Sequence, residues 1–252
     1  MRSTAIVGLA LSVWTVAPGA HAEPACAASC RDLEASGQLA LGVTAAACEV
    51  RVCHEDGRKL YEKGDYAGSI AAFDRVEAAN AGSPAFQMDR GLTLYALGRF
   101  DEAITSFDRV IRVFPNGIRA GAQRAHALVR LGRLDDAISQ FRLLVDLPGA
   151  DAIYRDLRTS SYLWGNIGAL ELRQGKLAEG KANLTKALEI DGKNLLASTM
   201  LKQIVPALEQ GTLAPGGLGQ LQIAMEELAL GDAREAGQLL ESERKQIGRA
   251  HV

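Results

Sequence analysis

The chain has 252 residues, with 28 Lys and Arg against 30 Asp and Glu and a formal net charge of −2. That balance excludes bulk nucleic-acid binding, which needs a strong basic excess to release counterions. Runs alternating Val, Ile or Thr with polar residues are nearly absent, which argues against a sheet, and the length is enough to bury a substantial core.

The first 22 residues read as an export signal. Arg2 is a positive start, an apolar run extends from about Ala5 to Val16, and Ala20-His21-Ala22 offers small residues for cleavage before Glu23. The run is too short to anchor in a bilayer, and nothing after Glu23 is apolar for long enough to cross one. Glu23-Pro24-Ala25 lacks the small and apolar approach that lipid attachment at Cys26 would need. Removing Arg2 with the signal leaves 27 basic and 30 acidic residues, a net of −3. The expectation is an exported protein, periplasmic or secreted after cleavage near Ala22, with no integral membrane span.

All four cysteines follow at once, at 26, 30, 48 and 53. In an exported chain such a set reads as disulfides, for which three connectivities exist. The pairs Cys26–Cys53 and Cys30–Cys48 have midpoints of 39.5 and 39, both in the Gly37 to Gly42 turn region. Two rungs across one antiparallel helical hairpin require that nesting. Cys26 and Cys30 share a helix face, but Cys48 and Cys53 diverge by about 140 degrees on an ideal helix, so a bend or a late helix start near Cys48 is needed. Each bridge closes a loop of about 20 to 30 residues, worth about 3 kcal/mol in the chain-entropy picture.

The stretch from Cys48 to Cys53-His54 also admits covalent haem attachment and an electron-transfer role, although the usual pattern is Cys-x-x-Cys-His and the gap here is four residues. A haem would need a further ligand or an open site, and the mature chain offers only His54, His126 and His251. The same residues also admit zinc binding or a reactive dithiol. The reading adopted is disulfides, with no cofactor and no metal.

Beyond the cysteines, Gly64, Gly98 and Gly132 recur at intervals of 34, each inside one phrase: KGDYAGSIAAF, LGRFDEAITSF, LGRLDDAISQF. Seven residues before the glycine stand Gly57, Gly91, Ala125 and, in a fourth unit turning at Gly175, Gly168. Five after it come Ser69, Ala103, Ala137 and Gly180; nine after it come Phe73, Phe107, Phe141 and Leu184. Small residues let two helices approach and the bulky ones fill the space between them. Tyr66, Phe100, Leu134 and Leu177 close the corner. The glycine suits the left-handed residue that ends a helix, and Asp101-Glu102 and Asp135-Asp136 suit the start of the next. Pro115 falls where a helix must stop.

This pattern resembles the tetratricopeptide repeat family, over roughly residues 50 to 192 and about four units, with Trp164 also fitting the last. The resemblance implies an all-α fold, a right-handed α-α superhelix of helical hairpins. The expected organisation is a signal at 1–22, a cysteine-stapled helical cap at 23–49, the array at 50–192, and a degenerate repeat with capping helices at 193–252.

Between Gly132 and Gly175 the spacing is 43, and the nine extra residues include Pro148-Gly149-Ala150-Asp151. Either Asp151 caps a long helix running to about Arg173, or a short helix breaks near Thr159-Ser160-Ser161. Past Gly192 an apolar stretch runs from Leu195 to Glu209, with Pro206 placed to kink it, then a break at Ala214-Pro215-Gly216-Gly217 and a last hairpin turning at Gly231. Glu241-Ser242-Glu243-Arg244-Lys245-Gln246 supplies the polar outer face that an array end needs.

In the family the first helix of each unit lines the concave face, where partner peptides lie. The resemblance carries that role onto His54, Arg58 and Tyr61; Met88, Asp89, Leu92 and Tyr95; Gln123, His126 and Arg130; and Tyr162, Asn166 and Arg173. Arg offers forked donors and Tyr offers rigid area with little entropy to lose. His54, Arg58 and Asp89 stand where the family's chaperone-tail binders have their lysine and asparagine clamp, which argues against that activity. There is no Gly-x-Ser-x-Gly elbow, phosphate loop or His-Glu-x-x-His. The sequence therefore points to a non-enzymatic scaffold or adaptor that binds a protein or peptide partner in the cell envelope. A second non-catalytic reading is an accessory subunit of an envelope enzyme.

Overall fold

A computed structural model describes residues 25–40, 43–147 and 157–219. Among these residues the chain is helix and turn, without strand. We number the helices α1 (Ala25–Ala35), α2 (Ala45–Glu62), α3 (Tyr66–Asn80), α4 (Pro84–Ala96), α5 (Phe100–Val113), α6 (Ile118–Arg130), α7 (Leu134–Val145), α8 (Leu157–Arg173), α9 (Leu177–Ile190), α10 (Leu195–Thr199) and α11 (Val205–Glu209). The pairs α2–α3, α4–α5, α6–α7 and α8–α9 are four hairpins, and each second helix packs on the first helix of the next pair.

Polar side chains start several of these helices by taking an otherwise unbonded N–H. Thr44 Oγ1 accepts from Ala47 N at 3.2 Å, Asp65 Oδ1 from Gly68 N at 2.9 Å, and Asn194 Oδ1 from Ala197 N at 2.9 Å. The four first helices end alike. Gly64, Gly98, Gly132 and Gly175 have φ between 74 and 79 degrees, and the next residue's N–H closes back on Leu60, Leu94, Leu128 and Glu171 carbonyls at 2.9 Å. This is the Schellman ending that the 34-residue glycine spacing foretells. A Cβ on Gly98 would meet no atom within 4 Å, so only backbone strain opposes a side chain there. Gly98→Ala should lower stability by about 1 kcal/mol in urea unfolding, and an unshifted midpoint would remove the left-handed turn from the account.

Inside each hairpin the small and bulky positions meet as expected. Phe73, Phe107, Phe141 and Leu184 are fully buried, opposite Gly57, Gly91, Ala125 and Gly168. The core runs along the array as three clusters and is not gathered at one centre, as stacked repeats dictate.

The cysteines pair as Cys26–Cys53 and Cys30–Cys48, with Cα separations of 5.0 and 5.8 Å. The expected late helix start near Cys48 is not seen: α2 begins at Ala45 and carries both Cys48 and Cys53, and Cys48 N–H already bonds Thr44 O at 3.0 Å. The expected boundary between cap and array at 49/50 falls inside α2, which carries two of the cysteines and is also the first helix of the first hairpin.

Helix α8 runs from Leu157 through Thr159-Ser160-Ser161 to Arg173, and the choice between a cap at Asp151 and a preceding short helix lies outside the described residues. Pro148-Gly149-Ala150-Asp151 lies outside the described residues, as do the stretch read as an export signal, the hairpin expected at Gly231 and Glu241 to Gln246. From Leu195 to Glu209 the chain stays helical, but Met200–Ile204 widens to a π turn in which Val205 N–H reaches Met200 O. That turn precedes Pro206, whose missing N–H disrupts the regular ladder. Pro215–Gly217 forms the anticipated break as a single 3₁₀ turn.

Candidate partner-binding face

The first helices of consecutive hairpins lie side by side, α2 against α4 and α4 against α6. Each junction is bridged by polar or aromatic groups about one repeat apart. His54 Nε2 lies 2.9 Å from Asp89 Oδ2, and Arg58 Nε lies 3.6 Å from the same oxygen. Between α4 and α6 the Arg130 guanidinium sits 5.7 Å from the Tyr95 ring centre and 4.9 Å from that of Phe100. Between α6 and α8 His126 Nε2 hydrogen-bonds the Tyr162 hydroxyl. The inner face is thus a ladder whose rungs are residues carried over from the family resemblance.

Packing behind the ladder fixes its side chains. The His54 ring stands edge-on to Phe73 and Phe86, with centroids at 5.8 and 5.2 Å, and His126 stands edge-on to Phe141 at 5.4 Å. Each histidine therefore rests on the bulky aromatic of its own hairpin and reaches to the next. Tyr61 leans on Tyr66 at 5.3 Å, and Tyr95 on Phe100 at 5.3 Å.

Exposure divides the candidate set. Arg58 is exposed, and Tyr61, Met88, Asp89, Leu92, Tyr95, Gln123, Arg130, Tyr162 and Arg173 are partly buried. Those residues present a face of cations, phenol rings and short apolar patches, interrupted by a carboxylate that His54 and Arg58 already engage. His126 and Asn166 are wholly buried. Asn166 donates from Nδ2 to Tyr162 O at 2.9 Å, and its Oδ1 is buried without a hydrogen-bond partner. These two side chains belong to the seam between α6 and α8, where His126 positions Tyr162.

A set of buried polar brackets escaped the sequence reading. Arg90 on α4 reaches back to Asp74 on α3 at 2.8 Å and across to Ser106 on α5 at 3.2 Å. Arg124 on α6 repeats this one unit later with Asp108 at 2.6 Å and Gln140 at 3.1 Å. At the next junction the polarity reverses: Glu171, only 2 % exposed, accepts from Arg142 on α7 at 2.7 Å and from Asn183 on α9 at 2.6 Å. Each bracket ties three helices, the second helix of one hairpin to both helices of the next. The signal was available, because Asp74 to Asp108 and Arg90 to Arg124 are both 34 residues apart. On the outer surface Arg99 donates two hydrogen bonds to Glu102, which hold that carboxyl below its ordinary range.

The haem alternative does not fit these residues. The sulfurs of Cys48 and Cys53 are bonded to Cys30 and Cys26, so neither is left for a thioether, and His54 Nε2 is turned to Asp89. Among the described residues no three His, Cys, Asp or Glu side chains gather to hold a metal ion. No described helix is long and apolar enough to cross a membrane.

Two family models described as tetratricopeptide repeat match, over residues 55–118 and 161–194. Among solved structures, the apo form of RapI superposes with a TM-score of 0.52 at 12 % identity, covering 81 % of this chain and 72 % of that one. A structure of MamA protein gives 0.51 at 16 % identity, covering 78 % and 94 %. At these identities the likeness is one of fold. No curated protein matches the sequence. With the repeat glycines, the small-to-aromatic packing and the stacked hairpins all in place, the chain belongs to the tetratricopeptide repeat family.

Proposed function

We propose that this protein is a non-enzymatic scaffold of the cell envelope that holds a partner protein or peptide along the inner face of α2, α4, α6 and α8. The observation that carries the reading is the ladder His54–Asp89, Tyr95–Arg130 and His126–Tyr162, which pins rigid aromatic and cationic groups in a row along one face. Pre-fixed side chains lose little entropy on binding, and Tyr and Arg are the residue types that most often anchor interfaces. The envelope setting is supported by the amino-terminal signal pattern and by two disulfides, which persist in oxidising compartments. No role as an enzyme is proposed, because among the described residues none of the polar clusters set out above pairs a nucleophile with a base in an open cleft.

Crosslinking followed by recovery from an envelope extract tests the face. Tyr61→Ala, Tyr95→Ala and Arg130→Ala combined should cut partner recovery at least about tenfold, since each truncated anchor costs roughly 1 kcal/mol or more. Undiminished recovery by a variant with unchanged circular dichroism would move the binding site off this face.

A further inference from the structure

We propose that the two disulfides act as a redox switch on the order of α2, and through it on the first quarter of the inner face. This rests on the groove reading for its consequence but not for its mechanism. Helix α2 contributes His54, Arg58 and Tyr61 to the face, yet its buried residues are only Cys48, Cys53 and Gly57. By contrast α4 buries Phe86 and Leu94, and α6 buries Leu128 and Val129 with several alanines. No large aliphatic or aromatic side chain of α2 is buried: Val52 and Leu60, one repeat before Phe86 and Leu94, are only partly buried, and its two half-cystines are the largest side chains it buries.

The same holds for α1. Among its described side chains the buried ones are Cys26, 2 % exposed, and Cys30, fully buried. Arg31, Asp32, Glu34 and Ala35 are exposed, and an 11-residue helix of that kind has little hold of its own. Its described polar tie to α2 is Glu34 Oε1, which accepts from Ala45 N at 3.1 Å. The Cys26–Cys53 bridge, in turn, is part of the cluster containing Ile70, Phe73, Val76 and Phe86. The cap is therefore sewn into the first hairpin's core by sulfur, where the other hairpins use hydrocarbon.

Reduction by a dithiol balances simply. A thiolate of the reductant attacks one sulfur and the other sulfur leaves as a thiolate. The second reductant thiol then closes to a disulfide, so each bridge takes up two electrons and two protons and becomes two cysteine thiols. All four cysteines are buried, at 0 to 5 % exposure, so a reductant reaches the sulfurs through local opening of α1. With both open, α1 departs and α2 is left with half-buried Val50 and Val52, the edge-on contacts of His54 with Phe73 and Phe86, Gly57 against Phe73, and the Glu49–Arg75 ion pair. The later hairpins retain their own aromatic anchors.

Hydrogen exchange read by mass spectrometry, on the mature protein before and after dithiothreitol with alkylation of the freed thiols, tests the switch. Amides of residues 45–62 should exchange about a hundredfold faster after reduction, while those of residues 84–209 change by less than about twofold. Unchanged exchange in α2 overturns the proposal, and so does acceleration along the whole array, which would make the bridges a general staple. The variant with Cys26→Ser, Cys30→Ser, Cys48→Ser and Cys53→Ser combined should reproduce the local effect without reductant, and its retention of oxidised-like exchange would likewise sink the idea. If α2 loosens but crosslinked partner recovery stays the same, the switch stands and the assignment of α2 to the binding face falls.

Discussion

Phe107→Ala should lower the unfolding free energy by about 4 kcal/mol, the upper part of the range for emptying a phenylalanine site in a core. Phe107 is fully buried, in one cluster with Phe73, Phe86, Leu94 and Ala103. The site cannot collapse easily, because brackets on either side hold the helices apart, Arg90 to Ser106 and Arg124 to Asp108. The sharper expectation concerns its partner. A methyl on Gly91 would lie 2.6 Å from the Phe107 ring edge, so Gly91→Ala alone must push the ring aside and should cost about 1 kcal/mol. In the Phe107→Ala background the same methyl enters vacated space and also gains up to about 1 kcal/mol of helix propensity. The sign of Gly91→Ala therefore reverses between the two backgrounds. Urea unfolding of the four proteins measures it, and an equal cost for Gly91→Ala in both would mean that the glycine is not there to admit the ring.

The same logic explains what could be read before the structure. Gly91 and Phe107 announce each other because backbone approach and ring volume are properties of residue types, repeated every 34 positions. The disulfide pairing was legible for a similar reason, since two pairs with a common midpoint fit one hairpin. The interior of the α6–α8 seam was not legible. His126 and Asn166 lie on the helix face that the family turns to its partners, and only the closeness of α8, reached through Tyr162, shows that they are enclosed. The brackets were missed although their period was visible, because charged residues on a repeat helix are ordinarily solvent-facing. Glu171 shows why type alone fails there: it repeats the geometry of Arg90 with the opposite charge, and nothing in its own identity marks it as buried.

Gly168→Ala should cost about 3 kcal/mol, more than Gly91→Ala, although both replace a helical glycine by the better helix former. The difference lies in what the methyl meets. At Gly91 it meets the edge of a ring, which can tilt, and the third hairpin carries an alanine at this place: Ala125 and Phe141 are both fully buried in one core cluster. At Gly168 the methyl would stand 2.8 Å from the Gly180 carbonyl oxygen and 3.0 Å from the Leu184 nitrogen, so helix backbone opposes it and no rotamer change relieves the clash. Reciprocally, a methyl on Gly180 would stand 2.9 Å from the Gly168 carbonyl oxygen, which makes α8 and α9 a backbone-to-backbone contact, where the earlier hairpins meet through a ring. Forcing them apart would also stretch Asn183 from Glu171, leaving a nearly buried carboxylate short of one donor. The loss should appear as a lower urea midpoint and as faster amide exchange confined to α8 through α11, with residues 66–113 unaffected. A Gly168→Ala protein as stable as the parent, or one whose exchange rises evenly from α3 to α9, would show that the two helices are free to separate.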